Sequence, residues 1–438
     1  MIKKPLNIFI SEWIPSLNKG ELAILHGMIK SFKFLGPKQI YILSFYPEID
    51  KIRYPEEIRI INAEKDLFLG KRFHERSLII RSILSLFVLF QHLLFAILYL
   101  FFHENSLRIM RGQIWKEYID SDIIIFGHDQ IDCSMGFYLL FHPISIILIR
   151  RIINKKVAIY GNGSSSTRIS RILLSFILSN VDLVTTRDRP TYQLYKKISL
   201  SGIPLFLTAD PAILLQPTKN ERVKNIMKGE KIFKNDDPLI GMALSYDVLD
   251  YPSYDRKDQK ISCIQRIKMM SQLINYLINN FNANIIFFPH SIEPYRNLDD
   301  RFIAKIIYNL VDNKQKIYII KHEYSPQELK GLIGQLDIFI GTRVHALINA
   351  ASMCVPFICL VTAQDKRAQG ILGDMFGQKE WIFNVDNLEL DKLCQKAACL
   401  LSIKNKVSKD LELKNSIIEK MAMLNGKLLK LLVMKPQK

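Results

Sequence analysis

The sequence predicts an α/β fold with two Rossmann-like domains that face a cleft. Short apolar strands alternate with longer helical segments in two separate runs, and a polar, charged stretch divides the two runs. The chain is long enough for both domains, because its 438 residues, 49% of them hydrophobic, can bury two ordinary α/β cores.

The first run begins with an apolar strand at 6–10. A helix at 21–32 and a strand at 39–45 follow. This order indicates a β-α-β unit, because parallel strands need a long crossover connection. We assign residues 1–215 to this N-terminal domain.

The charged stretch covers residues 216–238, QPTKNERVKNIMKGEKIFKNDDP, and a polar run flanked by prolines is typical of a linker. The second alternation predicts a C-terminal domain at 239–438. Its predicted elements are a strand at 239–244, a helix at 261–281, a strand at 285–288 and a strand at 316–320.

The segment 336–360, LDIFIGTRVHALINAASMCVPFICL, predicts a strand, a crossover helix from Val344 to Cys354 and a second buried strand. Gly341 at the end of the first strand allows a sharp turn and a close approach of ligand to backbone. Thr342 is the predicted N-cap of the helix. The free N–H groups of a helix start attract a phosphate or carboxylate, so the segment predicts an anion site.

Two side chains in the first helical turn extend this prediction. Arg343 carries a planar charged fork that fits a carboxylate or phosphate, and His345 can move a proton near neutral pH. The motif alone leaves a second interpretation open, in which Arg343 binds a neighbouring carbonyl and His345 is a buried structural histidine.

Further segments resemble, in order and spacing, the polysaccharide pyruvyl transferase family. They are NKGELAIL at 18–25, VTTRDRPTYQLY at 184–195, TADPAILL at 208–215, IIFFPHS at 285–291, GTRVHALINAASMCVP at 341–356, and Lys366 with Gly370. The resemblance implies a glycosyltransferase-B-like fold. It also implies transfer of the pyruvyl group of phosphoenolpyruvate to sugar hydroxyls of a surface-polysaccharide or lipid-linked glycan precursor, leaving a pyruvate ketal.

The resemblance also assigns roles to individual residues. His345 would be a general acid or base that His290 assists. Phosphoenolpyruvate is the expected co-substrate, with no other cofactor and no required metal. Donor-binding residues would be Arg343, Arg187, Gly341, Thr342 and Lys366, in a donor site at 336–366; residues of the acceptor side or cleft would be Asn18, Gly20, Glu21 and Asp210.

Some positions depart from the family pattern. Glu21 stands where many members have aspartate, GHDQ at 127–130 lacks the usual paired glycines, GNGSSS at 161–166 is a loose match, and VTAQDK at 361–366 lacks a tyrosine. Two alternatives therefore stay open: a nucleotide-sugar-dependent glycosyltransferase of similar fold, and a non-catalytic member that binds glycans or scaffolds a complex.

Cysteine and acidic patterns indicate no metal site. The six cysteines form no C-x-x-C pair, which favours a reducing compartment over a disulfide framework. The D-x-D sequence at 120–122 precedes an apolar strand at 123–126, and we interpret it as the polar start of that strand.

The segment 78–102 is long and apolar enough to span a bilayer, with Arg81 as its only charge. A single span would place the motifs at 18–25 and 341–356 on opposite sides of the membrane, so crossing is not expected. Two interpretations remain: a helix in the membrane interface, or a helix buried in the fold or in a homo-oligomer contact. Basic neighbours favour the interface, namely Lys71, Arg72, Arg76, Arg108 and Arg111.

The charge balance predicts an anionic neighbour. Sixty Lys and Arg against 42 Asp and Glu give a formal charge of +18. An anionic membrane surface or a lipid-diphosphate glycan precursor fits this charge. Nucleic acid is the weakest choice and is not an expected partner, because no binding module is recognisable and the lysines are scattered through the chain. The apolar run in the N-terminal sequence MIKKPLNIFI is too short for a secretory signal. We therefore expect a cytoplasmic protein, peripheral on the inner face of the plasma membrane.

Overall fold

The structure is a computed structural model that describes residues 6–69, 77–128, 137–163, 168–198, 202–249, 263–294, 298–362 and 365–436. The chain divides into two compact units. The first unit comprises Met1–Ser16, Leu25–Pro211 and Met421–Lys438, and the second comprises Leu17–Ile24 and Ala212–Lys420.

A parallel sheet forms the centre of the first unit. Its strands are β1 (Leu6–Ile10), β2 (Pro37–Ser44), β3 (Ile58–Asn62), β4 (Ile123–Phe126), β5 (Lys156–Asn162), β6 (Leu183–Thr186) and β7 (Leu205–Leu207). Among the described residues the sheet has seven strands in the order β3-β2-β1-β4-β5-β6-β7. The order reverses between β1 and β4, which makes this the topological switch point of the sheet.

Helices connect these strands. They are α1 (Lys19–Phe32), α2 (Pro47–Asp50), α3 (Ala63–Asp66), α4 (Leu78–Phe102), α5 (Gln113–Asp120), α6 (Phe137–Ile147), α7 (Arg168–Leu178) and α8 (Arg189–Ile198). Central strands are buried along their whole length, as in β4, IIIF, because helices cover parallel sheets on both faces. Aromatic side chains fill the core beside α4, where the ring of Phe95 stacks on Trp115 at a centroid distance of 4.7 Å.

The second unit has the same kind of sheet. Its strands are β8 (Leu239–Ala243), β9 (Asn284–Phe287), β10 (Ile317–Ile319), β11 (Ile338–Gly341), β12 (Phe357–Val361) and β13 (Ile382–Asn384). In the described part these six parallel strands have the order β10-β9-β8-β11-β12-β13. The switch point lies between β8 and β11.

The remaining helices are α9 (Asn220–Gly229), α10 (Tyr246–Leu249), α11 (Cys263–Phe281), α12 (Asp300–Leu310), α13 (Pro326–Ile333), α14 (Val344–Ser352), α15 (Lys366–Ala368), α16 (Leu390–Ser402) and α17 (Lys404–Met434). Helix starts follow local capping chemistry. Ser325 and Glu328 form a reciprocal capping box at α13, and the Asp299 carboxylate accepts the Arg301 N–H at the start of α12.

The division of the chain differs from the predicted one. Residues 216–238, predicted as a linker, contain helix α9, which buries Val223 and Ile226 and packs on α13. The Lys330 ammonium also donates to the carbonyl of Leu215 at 2.8 Å. The polar composition reflects one exposed face of this helix, so it does not mark a linker.

Both chain ends also cross the predicted boundaries. The segment Leu17–Ile24, predicted in the N-terminal domain, belongs to the second unit, and Met421–Lys438, predicted in the C-terminal domain, belongs to the first. Side-chain contacts explain the C-terminal assignment. The Asn425 amide donates to the Ala209 carbonyl at 3.1 Å, and its oxygen accepts the Thr208 hydroxyl at 2.9 Å.

The D-x-D sequence leads from the last residue of α5 into β4, which agrees with its interpretation as the polar approach to that strand. Its second carboxylate, Asp122, accepts the backbone N–H of Asn7 at 2.8 Å, and Asp120 is exposed. Asp122 therefore fixes the start of β1 beside β4.

Candidate active site

The candidate site of the second unit lies at the switch point of its sheet. Ser245 follows β8, Arg343 follows β11, His290 follows β9, and Arg367 lies beyond β12. Ligands of open α/β sheets bind at the carboxyl ends of the strands, at such a point. These four residues line one cavity of about 110 Å³. The full lining is Asn18, Gly20, Glu21, Ser245, Val248, His290, Thr342, Arg343, Val344, His345, Asp365 and Arg367.

The loop from β11 to α14 has a different local geometry from the prediction. A Cβ on Gly341 would lie 3.0 Å from the Ala243 carbonyl oxygen, so glycine is needed for close strand approach. The Thr342 hydroxyl oxygen accepts the Ser245 N–H at 2.7 Å and so joins the ends of β8 and β11. The predicted capping role of Thr342 is therefore wrong. Arg343 occupies the N-cap position, and no side chain caps the helix start there.

Arg343 pairs with a buried carboxylate. Its terminal nitrogen Nη2 lies 2.7 Å from Asp300 Oδ1, and its Nε lies 3.1 Å from the same oxygen. Asp300 Oδ2 also accepts the backbone N–H groups of His290 and Ser291. Burial raises the pKa of the Asp300 carboxyl, and Arg343 and the two N–H groups oppose that shift. Asp300 thus fixes both the arginine and the strand end that carries His290.

His290 is a buried histidine that lines the cavity. Its side chain is nearly inaccessible, and no described group bonds either ring nitrogen. Burial, with Arg343, His345 and Lys19 adding positive charge, lowers the pKa of His290 to about 3. The imidazole is therefore neutral at physiological pH, and both of its ring nitrogens are buried beside the cavity without a described partner.

His345 lies in the first turn of α14, next to the start of α1. A Cβ on Gly20 would lie 2.6 Å from His345 Nδ1, so only glycine leaves room for this imidazole. Backbone pairing holds the start of α1 against the segment that follows β9. The Lys19 N–H donates to the His290 carbonyl at 2.7 Å, and Asn18 forms a bridge with Ser291.

Asn18 and Glu21 complete that corner of the cavity. The Asn18 side-chain oxygen accepts the N–H of Gly20 at 3.0 Å and thereby caps α1. Asn18, Gly20 and Glu21, predicted for the acceptor side or the cleft, thus line the same cavity as Arg343 and His345.

The segment after β12 contributes a different cation from the predicted one. Lys366 is exposed and does not line the cavity, whereas Arg367 does. The Arg367 guanidinium forms a two-point pair with Asp365, with its Nε 3.0 Å from Oδ1 and its Nη2 2.9 Å from Oδ2. Donor binding by Lys366 stays a prediction, and Arg367, the next residue, is the cation of this segment that lines the cavity.

Arg187 and Asp210 lie in the first unit and pair with each other. Arg187 Nη1 lies 3.2 Å from Asp210 Oδ2, and both side chains are fully buried. Glycine at position 163 leaves room for the Arg187 side chain, because a Cβ there would lie 2.8 Å from Arg187 Nε. This pair joins the ends of β6 and β7, and direct donor or acceptor binding by either residue stays a prediction.

Sequence reasoning missed Asp300, Arg367 and Ser245. Asp299 and Asp300 before an amphipathic stretch are a helix-start signal, and that signal does not point to Arg343, 43 residues away. Arg367 was adjacent to the predicted residue, and only the direction of its side chain distinguishes the two.

Solved structures with similar folds cover nearly the whole chain. A putative UDP-N-acetylglucosamine 2-epimerase from Listeria monocytogenes has a TM-score of 0.58 at 10% identity, over 100% of this chain and 99% of that one. The UDP-GlcNAc 2-epimerase of Methanocaldococcus jannaschii has a TM-score of 0.55 at 14% identity, over 99% and 100%.

The Neisseria meningitidis UDP-GlcNAc 2-epimerase, bound to UDP-GlcNAc, has a TM-score of 0.55 at 11% identity, over 98% and 100%. At such identities the similarity concerns the fold, which is the predicted two-domain α/β, glycosyltransferase-B-like class.

A search of curated proteins found no match to this chain. The family profile described as polysaccharide pyruvyl transferase matches residues 18–364. The matched region includes every cavity residue from Asn18 to His345, and Asp365 and Arg367 follow its end. The chain therefore belongs to the polysaccharide pyruvyl transferase family.

Proposed function

We propose that this protein transfers the pyruvyl group of phosphoenolpyruvate to hydroxyls of a sugar acceptor and forms a pyruvate ketal. The observation that carries the proposal is the cavity at the switch point of the second sheet. In a member of this family it combines Arg343, Arg367, His290 and His345 with an uncapped helix start. The acceptor we propose is a surface-polysaccharide or lipid-linked glycan precursor.

The charges of the cavity suit the proposed donor. Phosphoenolpyruvate carries a carboxylate and a phosphate on three carbons, so it needs several hydrogen-bond donors close together. Arg343 and the start of α14 would bind one anionic group, and Arg367 would bind the other. A cavity of about 110 Å³ suits such a small donor better than a nucleotide sugar.

The two arginines are held in place before any ligand binds. Asp300 holds the Arg343 guanidinium at two nitrogens, and Asp365 holds that of Arg367 in the same way. Side chains fixed in this manner lose little further freedom when a ligand binds. The carboxylates also lower the local positive charge, which permits release of the phosphate product.

The two histidines have different proposed roles. His345 is the general acid and base: it protonates the donor methylene as the first sugar hydroxyl adds to the central carbon and gives up its proton. A second hydroxyl then attacks the same carbon and closes the ketal, while the C–O bond to phosphate breaks and phosphate leaves with the bonding electron pair and the hydroxyl proton. His290 has too low a pKa to exchange protons at neutral pH, so it binds the donor as a neutral hydrogen-bonding group.

Calorimetric titration with phosphoenolpyruvate tests the donor. We expect saturable binding by the wild type and at least about tenfold weaker binding by Arg343→Ala, since a charge-assisted forked contact is lost. Arg301→Ala is the matched control, because Arg301 pairs with Asp299 outside the cavity and should leave binding unchanged.

Two further measurements separate the alternatives. If the protein binds UDP-GlcNAc saturably and does not bind phosphoenolpyruvate, the proposal is overturned in favour of a nucleotide-sugar-dependent glycosyltransferase. Phosphate release from phosphoenolpyruvate in the presence of glycan acceptors measures turnover. Donor binding without phosphate release across a panel of glycans would point to a non-catalytic member.

A further inference from the structure

Helix α4 has one buried face and one exposed apolar face. Its buried face carries Val88, His92, Phe95 and Ala96. Its other face exposes large apolar side chains, which recur at three- and four-residue spacing over the full length of the helix. They are Ile79, Ile80, Ile83, Leu86, Phe87, Phe90, Leu93, Ile97, Leu100, Phe101 and Phe102.

The large apolar side chains on this face are more numerous and more continuous than those that soluble proteins ordinarily expose. Phe90 is 57% exposed, Leu86 58% and Ile83 61%. Single exposed apolar residues are common on soluble proteins, whereas a continuous stripe along a helix of this length marks a contact with an apolar partner.

Polar contacts on the buried face fix the helix to the first unit. The Gln91 amide donates to the Leu67 carbonyl at 2.8 Å. Within α4 itself, His92 Nδ1 donates to the Val88 carbonyl at 2.8 Å and so orients the imidazole. His92 Nε2 lies 3.1 Å from the Ser145 hydroxyl. Among the described residues this is the one helical region, Ile79–Arg108, long and apolar enough to cross a membrane. Crossing would break these contacts and place the polar groups in lipid.

Cations follow the C-terminal end of α4. Arg108 and Arg111 are exposed, and Arg111 also lines a groove of about 520 Å³ with Lys65 and Lys116. The exposed ring of Phe68 lies in the same groove. Lys71, Arg72 and Arg76, predicted basic neighbours at the other end, lie outside the described residues.

The groove contains one carboxylate, Asp66. Its Oδ2 accepts the backbone N–H of Ile114 at 2.9 Å, and the side chain is largely buried. Asp66 is therefore engaged in joining α3 to α5. Three exposed cations beside one inward-facing carboxylate leave a positive groove, whose residues Leu107 and Arg111 follow the C-terminal end of α4 in the chain.

We propose that the outer face of α4 lies in the plane of an anionic membrane, with its apolar side chains inserted below the headgroups and the basic groove against them. An amphipathic helix in this orientation binds by its buried apolar area and by attraction to anionic lipid. A second copy of the chain fits less well, because each copy carries a formal charge of +18 and the two would repel.

Flotation of the full-length protein with phosphatidylcholine vesicles, with and without phosphatidylglycerol, tests the proposal. We expect the wild type to float with the anionic vesicles and Phe90→Glu to bind at least about tenfold more weakly. Leu413→Glu is the matched control: Leu413 is 73% exposed on α17, so the variant makes the same change of charge away from α4 and should bind like the wild type.

The double variant Arg111→Ala/Lys116→Ala tests the groove. We expect weaker binding to anionic vesicles, and a smaller loss of binding when salt is added, because fewer cations contact the lipid.

Two results would overturn the proposal. One is wild-type protein that does not float with anionic vesicles, and the other is a Phe90→Glu variant that floats like the wild type. A wild-type dimer that Phe90→Glu converts to a monomer, without vesicle binding, would assign the face to a second copy.

Discussion

Arg343 and Asp300 show how single residues organise the cavity. Asp300 accepts hydrogen bonds from the Arg343 guanidinium and from two backbone N–H groups at the end of β9. The order strand, glycine, cation, histidine predicted the position of Arg343 and His345 at the start of α14. It could not predict Asp300, because a tertiary partner leaves no mark in the local pattern.

Asp300→Asn tests this organising role. The amide keeps one oxygen for the backbone but removes the negative charge that Arg343 Nη2 contacts at 2.7 Å, so we expect a loss of about 1–3 kcal/mol in the free energy of unfolding. Urea denaturation measures it. Asp312→Asn, at an exposed hydrogen-bonded site, should change the value by less than about 0.5 kcal/mol. Equal losses in the two variants would contradict the role.

Gly20→Ala tests the closeness of α1 and His345. Alanine favours a helix by up to about 1 kcal/mol over glycine, but its Cβ would overlap the imidazole. We expect a folded protein with weaker phosphoenolpyruvate binding, measured by calorimetry and circular dichroism. Gly229→Ala, where a Cβ meets nothing within 4 Å, is the control and should bind like the wild type.

At the scale of elements, the apolar patterns predicted which segments form regular structure and whether each is a helix or a strand. The segments at 6–10, 78–102 and 123–126 form β1, α4 and β4 with the predicted bounds. The predicted crossover helix from Val344 ends at Ser352, two residues early. The sequence did not predict which face of α4 is buried, because the polar residues Ser85, Gln91 and His92 lie on the buried face and the apolar ones also cover the exposed face.

Paired substitutions on α4 separate its two faces. Phe95→Ala removes the ring stacked on Trp115 and should cost about 3–5 kcal/mol of stability. Phe90→Ala, on the exposed face, should change stability by less than about 0.5 kcal/mol in the absence of lipid. Urea denaturation gives both values, and similar losses would show that the outer face is also covered in the free protein.

At the scale of the whole molecule, the two α/β runs predicted two parallel sheets, and the structure has both. The predicted boundaries at 215 and 239 differ from the structure because domain membership depends on tertiary pairing. The polarity of α9 resembled that of a linker. The C-terminal part of α17 carries no local signal for the unit on which it packs.

Each unit holds a buried histidine that makes stability depend on pH. Burial lowers the pKa of His92 to about 4 in the first unit and that of His290 to about 3 in the second. The unfolded chain takes up these protons below about pH 6.5, while the folded chain stays neutral. Each histidine therefore contributes stability above pH 6.5 that is lost as the pH falls toward 4.

His92→Gln should reduce this acid sensitivity. Between pH 6.5 and 5 we expect the wild type to lose about 2 kcal/mol more of its unfolding free energy than the variant does. Urea denaturation at the two pH values gives the comparison. Identical pH dependence in the two proteins would mean that His92 is accessible to protons in the folded state.

The pairing of Leu17–Ile24 with the second unit has a consequence for how the chain folds. The Lys19 ammonium binds the Glu323 carboxylate at 2.6 Å, across a sequence separation of 304 residues. The residues beside His345 thus leave the ribosome long before their partners, and closing so long a loop costs entropy before any contact forms. A fragment that starts at Ala212 would lack Asn18, Gly20 and Glu21, so expressing the second unit alone would yield a sheet with an incomplete cavity.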